Sequence, residues 1–453
     1  MLNAYASRLS RYRRGAAYKF AVKELLESQF WPAARLKSYA DERVRTIVRY
    51  AYEKSSSYRQ LMVSARLTPG DIQSTEDLVK LPVLTKETVR NYGMGLLTAP
   101  SPLRDWRHGH TSGTTGFALS LYYDRALCVL NDAVDWRQKV WGGMREGDWI
   151  GVFLGRLIVA PHQRRPPFWR VNRVHRQVWF SSFHLSDENL GHYVREIERR
   201  KLRFLEGYPS TLFILAQYVV KQGISLPLDA VFSSSETLHE LQRDTIQMAF
   251  GCTPFDFYGH AERTIFATEC EYHDGKHVAE EYGYTEVVDE KGVPVRDGEF
   301  GYLTGTTLHN TAMPLIRYRT GDLSAIRREP CACGRTLRRI ESITSKAEDI
   351  LVTPDGRMIS PSIVARPFEP FPQITKSQLI QRRVDHILVK IVPSSDFTPT
   401  HQRLLIRELA TRLGPGVEIE IQVVDAIPNE PSGKFRWIIS EVDHPTHFTW
   451  GSA

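Results

Sequence analysis

The chain has 453 residues, 42% hydrophobic and 25% charged. That is enough for two or three domains with cores of their own, and too apolar for a disordered chain. The formal net charge of +7 is modest, and no recognition signature for nucleic acid accompanies it, so nucleic acid is not an expected partner. No apolar run reaches the ~20 residues that span a bilayer. Arg8, Arg11, Arg13 and Arg14 are not followed by the apolar stretch of a secretory signal. Five cysteines, an odd count, argue against a disulfide framework. The expectation is a soluble, cytoplasmic protein.

In chain order, the first ~65 residues read as helices by their apolar spacing; Val44, Ile47, Val48 and Ala51 follow the i, i+3, i+4, i+7 pattern. From about residue 100 to 325 short apolar strands, such as Trp149–Leu154, Val231–Ser233 and Phe255–Tyr258, alternate with amphipathic helices. That alternation predicts an α/β fold with parallel or mixed sheets. The segment His162 to Arg176 mixes five arginines with Phe168 and Trp169. It reads as a solvated face or as a dock, Arg164–Arg176, for an anionic or membrane-bound partner. In the last hundred residues, Ile387, Val389 and Ile391 alternate as a strand. Leu405, Leu409 and Leu413 share a helix face that Gly414 stops, and Val417 to Val423 alternate again. This predicts a small α+β domain, 346–453, after a large N-terminal domain, 1–345, with the polar stretch Ser345–Asp349 between them.

The chemistry lies in five ordered segments: TSGTTG (Thr111–Gly116), FSSSETL (Phe232–Leu238), FYGHAER (Phe257–Arg263), IRYRTGD (Ile316–Asp322) and PNEPSGKFR (Pro428–Arg436). A Ser/Thr/Gly run can wrap a polyphosphate with backbone N–H groups and hydroxyls, although such runs also occur as linkers. It lacks the Gly-Lys-Ser/Thr of the usual phosphate loop. Taken together the five segments resemble the adenylate-forming superfamily, and within it the phenylacetate–CoA ligases. The branch found in capsular and surface-polysaccharide gene clusters is more similar still. AYEKSSSYRQLM (51–62), LPVLTKETVRN (81–91) and Cys331–Arg335 are similar to further stretches of that family, so the resemblance runs over nearly the whole chain.

The resemblance implies a ligase that uses ATP and Mg2+ to turn a carboxylic acid into an acyl-adenylate, then passes the acyl group to an acceptor. Preorganised N–H dipoles, magnesium and a cation suit the charge that builds up on the phosphate. It implies that Thr111, Ser112, Gly113, Thr114, Thr115 and Gly116 cradle the phosphates. Ser235, Glu236 and Thr237 line the adenine pocket, with Tyr258 stacking on the base, and Gly259 and His260 also belong to the ATP site. Glu262 holds magnesium, Asp322 takes the ribose hydroxyls, and Arg339 and Lys346 also belong to the ATP site. Lys434, in a mobile C-terminal lid, reaches the α-phosphate and the carboxylate, with a hinge at Glu348 or Asp349. Alone, Glu262 reads as a surface carboxylate, Asp322 as a turn residue, Tyr258 as core and Lys434 as a solvated lysine; their joint order favours the site.

The chain also departs from the pattern. Phe117 stands where a lysine usually follows the loop, Ala261 stands where a hydroxyl usually precedes the glutamate, and LVTPDGRMISPS (351–362) replaces the usual stretch after the hinge. The last change puts CoA in doubt as acceptor and leaves an amine, or a sugar hydroxyl in surface-polysaccharide synthesis, open. Loss of the loop lysine and of that hydroxyl also motivates a different class: a non-catalytic binding or scaffold protein on the same fold. Cys331 and Cys333, with Cys270 and His277 upstream, could complete a tetrahedral structural Zn2+ site. His277 matches the spacing in relatives and His273 does not. Cys128 and Cys252 read as core residues. Family members are often homodimers.

Overall fold

The computed structural model describes residues 15–111, 119–160, 162–343, 351–359, 363–364, 366–368, 370–371, 373–428 and 437–442. They form two compact units: one within 15–110, 119–146 and 255–343, the other from residue 111, 147–254 and 351–442.

Helices α1 (Ala16–Ser28), α2 (Ala33–Lys54) and α3 (Ser56–Ser64) open the first unit. As its spacing predicts, α2 buries Val44, Ile47, Val48 and Ala51. The Ser55 side chain caps α3 by accepting from Tyr58 N, satisfying one of the donors a helix start leaves unpaired. Helix α4 (Lys86–Tyr92) starts under a similar Thr85 cap. Strands β1 (Arg107–His110) and β2 (Ser120–Tyr123) pair antiparallel, and Asp124 caps α5 (Arg125–Trp141).

The second unit begins with a mostly parallel sheet. Its strands are β3 (Ile150–Phe153), β4 (Trp169–Asn172), β5 (Gln177–Phe180), β6 (Phe204–Gly207) and β7 (Ala230–Ser234). Strand β3 lies parallel to β5 and β6, β7 lies parallel to β6, and β4 runs antiparallel on β5. Helices α6 (Asp187–Arg200), α7 (Pro209–Lys221) and α8 (Glu240–Phe250) connect or follow these strands. Every residue of β3 and of β7 is buried, as expected for parallel strands covered on both faces. Phe168 is part of this core, fully buried and stacked on His184 and Tyr193. The aromatic content of the arginine-rich segment therefore packs inward, while the arginines at 164, 165, 170, 173 and 176 are exposed.

The chain then returns to the first unit. Strands β8 (Phe255–Gly259), β9 (Phe266–Thr268) and β10 (Lys276–Val278) form an antiparallel set. After the meander β11 (Gly283–Val288), β12 (Gly301–Thr307) and β13 (Tyr318–Ser324), β14 (Arg339–Ile340) pairs with β10. In the second unit follow β15 (Leu351–Val352), β16 (Met358–Ile359), β17 (Ile374–Arg383) and β18 (His386–Pro393). Helix α9 (Pro399–Leu413), β19 (Glu418–Val423) and β20 (Ile438–Ser440) complete it. The expected strand–helix–strand is present: Leu405, Leu409 and Leu413 of α9 join Ile387, Val389 and Ile391 of β18 in one core. The helix ends at Gly414, φ 87°, a value that glycine adopts without strain. Strand β17 was not anticipated; it pairs antiparallel with β18 and parallel with β20. The result is the mixed α/β architecture that the alternating elements predict.

One side chain ties the last segment of this unit together. Arg357 is 2% exposed. Its guanidinium donates to Phe183 O at 2.8 Å, to Leu413 O at 2.5 Å and to Arg412 O at 3.3 Å, and Nε meets Asp355 at 2.9 and 3.0 Å. It thus caps the C-terminus of α9 while anchoring the turn Thr353–Arg357 to the loop after β5.

In the first unit α2 is fastened by His309. Arg43 Nη2 lies 3.0 Å from Nδ1, and Nε2 donates to Glu281 O at 2.7 Å. The imidazole is therefore neutral, and burial, then Arg43, pull its pKa down to about 4. That lies below the ordinary value of about 6.5, so between the two the unfolded chain binds the extra proton. The stability this group contributes is present above pH ~6.5 and is lost as pH falls toward 4, up to about 3 kcal/mol. Urea unfolding at stepped pH should show this acid limb, and His309→Gln, uncharged throughout, should lack that part of it.

Candidate functional site

In the first unit, β8 delivers Tyr258 and Gly259, and β13 delivers Tyr318, Thr320 and Asp322. The loop between β8 and β9 carries His260 and Glu262. It lies close on the β11–β12 pair because Gly283 and Gly305 stand opposite it; a Cβ at either would overlap Thr264. Tyr123 OH donates to Ala261 O at 2.6 Å, and the Arg263 guanidinium lies over the Tyr123 ring at 4.3 Å. The loop is thereby held at both faces.

These residues come together in two groups, Tyr258 with Asp322 and Glu262 with Tyr318 and His260. Tyr258 OH donates to Asp322 Oδ2 at 2.8 Å. Burial pushes the Asp322 carboxyl above its usual range, and the Tyr258 bond pulls against it. Glu262 is 8% exposed. Its Oε1 accepts from Tyr318 OH at 2.5 Å, and Oε2 lies 3.1 Å from His260 Nδ1. His260 Nε2 is in turn 3.2 Å from Thr264 Oγ1. Burial works against the Glu262 charge, yet His260, Lys86 and Tyr318 outweigh it and hold the pKa down at about 2. A buried carboxylate kept ionised, with one lone pair left on each oxygen, is a fit for a hard divalent cation. Sequence reasoning named Glu262 and Asp322 but not Tyr318 or Arg317. Both lie inside the quoted IRYRTGD, so the signal was there.

Arg317 sets the direction of Tyr318. It is 1% exposed with φ 53°, a backbone region that costs a non-glycine residue energy. The guanidinium makes five bonds: to Glu286 at 3.1 and 2.9 Å, to Gly292 O at 2.7 Å, to Leu81 O at 2.8 Å and to Val79 O at 3.3 Å. Arginine has five N–H donors, so all are used.

In the second unit, the loop at the C-terminal end of β7 carries Ser235, Glu236 and Thr237. Ser235 has φ 71° and turns the chain so that Glu236 Oε2 accepts from Ser210 N, 3.2 Å away, in the first turn of α7. Thr237 follows, half-buried, as Glu236 is. Loops at the carboxyl ends of parallel strands are where α/β sheets bind ligands. Thr111 is buried. Ser112, Gly113, Thr114, Thr115, Gly116, Lys346, Glu348, Asp349 and Lys434 lie outside the described residues. Arg339 is buried on β14, where it donates to Asp274 Oδ2 and Glu329 O, each at 2.7 Å, in the neighbourhood of the cysteines.

Those cysteines form a cluster in the first unit. One ligand atom from each of Cys270, His277, Cys331 and Cys333 lies within 4.8 Å of the others. Cys270 Sγ is 3.6 Å from Cys331 Sγ, and Cys333 Sγ is 3.4 Å from His277 Nε2. Tetrahedral bonds of about 2.0–2.3 Å put ligand atoms roughly 3.3–3.8 Å apart, so the donor set fits zinc. His277 Nδ1 donates to Leu337 O at 3.2 Å, which fixes the tautomer and turns the Nε2 lone pair toward the thiols. Burial drives the His277 pKa down to about 4 and the Cys270 thiol up. At Cys333 burial is outweighed by the amide and guanidinium of Arg335, and the thiol is lowered. His273 bonds Glu269 instead, at 3.1 Å. Cys128 is buried and Cys252 half-buried.

No helix among the described residues is long and apolar enough to cross a membrane. Residues 351–441 match the family model described as the CapK C-terminal domain. The protein CapK of Staphylococcus aureus is 27% identical over 417 residues, covering 89% of this chain and 88% of that protein. A phenylacetate-coenzyme A ligase of Thermus thermophilus is 28% identical over 401 residues, covering 82% and 84%. Among solved structures, 2-hydroxyisobutyryl-CoA ligase in complex with 2-HIB-AMP and CoA superposes with a TM-score of 0.59 at 21% identity, over 92% of this chain and 93% of that one. The chain is a homologue of CapK and the phenylacetate-coenzyme A ligases, with the fold of the adenylate-forming ligases.

Proposed function

We propose that the chain is an adenylate-forming ligase that activates a carboxylic acid with ATP in the cytoplasm. Its relatives support that class, and the observation that carries it is the buried, ionised Glu262 braced on both oxygens beside the Tyr258–Asp322 pair. In the first step a carboxylate oxygen attacks the α-phosphorus, the bond to the β-phosphate oxygen breaks, and pyrophosphate leaves. In the second the acceptor attacks the acyl carbon, its proton goes to solvent, and AMP leaves. Thr111–Gly116 cradle the phosphates. Ser235, Glu236 and Thr237 line the adenine site, and the Tyr258 ring packs on the base. Asp322 accepts from the ribose hydroxyls. Lys346, at the start of residues 346–453, also belongs to the nucleotide site, whereas Arg339 spends its guanidinium on Asp274 and Glu329 O beside the cysteines. Lys434, on the lid of residues 346–453 hinged at Glu348 or Asp349, neutralises the charge that builds on the α-phosphate.

Glu262 would hold magnesium. The ion supplies charge neutralisation at the phosphates; Tyr318 and His260 keep the carboxylate oriented and ionised. The four donors Cys270, His277, Cys331 and Cys333 would hold a structural zinc ion.

The acceptor is the thiol of CoA, following the activity for which the phenylacetate-coenzyme A ligase relatives are named. A second reading, an amine or sugar hydroxyl in surface-polysaccharide synthesis, draws on the likeness to CapK and on the turn Thr353–Arg357, whose arginine is locked to Phe183 O and Leu413 O.

Pyrophosphate release with ATP and a panel of acids tests the reading. Turnover that needs both substrates is expected; no release with any acid, together with no ATP binding, leaves the scaffold alternative. Lys434→Ala should cut pyrophosphate release by about 100-fold or more while ATP binding stays within a fewfold.

Tyr318→Phe removes the bond to Glu262 Oε1. The apparent KM for magnesium should rise about tenfold, with the KM for ATP at saturating magnesium little changed. In a Glu262→Gln background the same substitution should add almost nothing.

Inductively coupled plasma mass spectrometry should find one zinc per chain in protein purified without chelator. Cys331→Ser with Cys333→Ser should abolish it and lower the melting temperature.

A further inference from the structure

Between Asp148 and Asp187 the chain has no acidic residue and no lysine, yet it carries Arg156, Arg164, Arg165, Arg170, Arg173 and Arg176. All six are exposed. Among the described residues no carboxylate pairs with Arg164, Arg165, Arg170 or Arg176. Arg170 folds onto the backbone carbonyl of Trp169 at 2.9 Å, and Arg176 onto Gly147 O at 2.5 Å. The segment is ordered: Gln163 Nε2 donates to Arg165 O and Pro167 O at 2.7 and 2.9 Å, and Phe168 plugs the core beneath. Strand β4, which carries Arg170, has β5 as its partner, with the 164–165 stretch at one end and the Arg173–Arg176 turn at the other. Two aliphatic side chains stand out near these arginines in sequence: Leu157, 46% exposed, and Val174, 40% exposed.

We propose that the β4 edge and its two flanking turns form a docking surface for an anionic lipid bilayer. The positive groups are spread from the stretch before β4, through the strand, to the turn after it. They are all arginine, whose planar fork matches phosphodiester oxygens two at a time. No acidic group in the segment repels an anionic surface, and the exposed Leu157 and Val174, each next in sequence to an arginine, can enter a headgroup layer.

The test is cosedimentation of the full chain with vesicles. Phosphatidylcholine containing about one third phosphatidylglycerol should bind the protein, pure phosphatidylcholine should not, and binding should fall steeply between ~0.05 and ~0.5 M salt. Arg164→Glu, Arg165→Glu, Arg170→Glu and Arg176→Glu together should weaken binding at least tenfold. The pair Arg164→Glu, Arg165→Glu is run beside it, with circular-dichroism melting to verify the fold of each. Equal binding to both vesicles, no binding to either, or anionic binding unchanged in both folded variants overturns the proposal. So does full displacement by millimolar inorganic phosphate, which would assign the arginines to a soluble anion, or capture of an acidic protein without vesicle binding.

Discussion

The placement of the Glu262 carboxylate depends on one buried arginine. Arg317 sits in a left-handed backbone conformation at 1% exposure, an arrangement costing about 1–3 kcal/mol that persists only where its surroundings over-determine it. They do. Five N–H donors meet five acceptors, its amide donates to Thr306 Oγ1 at 2.9 Å, and its carbonyl accepts from Leu84 N at 2.9 Å. The ion pair to Glu286 is not a large net gain: burial pushes that carboxyl above its usual range in spite of Arg317, and buried pairs roughly offset their own desolvation. Its value is geometric. Losing one partner of such a pair costs about 3–5 kcal/mol, so the turn before β13 has no competing arrangement.

From that turn the next side chain is Tyr318, aimed at Glu262. The link matters because Glu262 is held ionised inside protein, where a carboxylate normally takes up a proton to escape desolvation. Here the hydroxyl and the imidazole meet the two oxygens separately. The arrangement fixes orientation without consuming the whole acceptor capacity. Asp322, four residues further along the same strand, has the opposite balance: burial dominates over the Tyr258 bond. Two neighbouring carboxylates are thus set apart by their surroundings, one firmly charged and one raised.

The sequence disclosed periodic features well and tertiary ones poorly. The buried stripe of α2 and the leucines of α9 were legible because each follows from spacing alone. Strand β17 was not, since Lys376, Ser377, Gln378 and Gln381 break its apolar pattern. Ser377 and Gln381 are buried because they bond Trp437 Nε1, at 3.0 Å, and the β15 backbone, at 2.6 and 2.9 Å. Phe168, read as part of an exposed basic segment, is core for a similar reason: which face of β4 turns inward depends on its antiparallel partner. Arg317 was hidden in plain view, because nothing in a one-dimensional motif says that an arginine will be swallowed whole.

The cysteine cluster shows the same division of labour at a second place in the first unit. Its four donors are buried or nearly so, which leaves no open coordination position for a substrate or an activated water. What surrounds it is packing. Trp141 lies edge-on to His277 at 5.7 Å with the Arg335 guanidinium over it at 4.4 Å, and Gln29 Oε1 accepts from both Trp141 Nε1, at 2.7 Å, and Arg335 Nε, at 3.2 Å. Thr336 reaches Trp31 O at 2.5 Å. The loop that supplies Cys331 and Cys333 is therefore the same loop that grips the ends of α1 and α5. A tetrahedral ion there would act on the fold, by holding that loop against the helices, and the chemistry would be left to the carboxylates braced by Tyr318 and Tyr258.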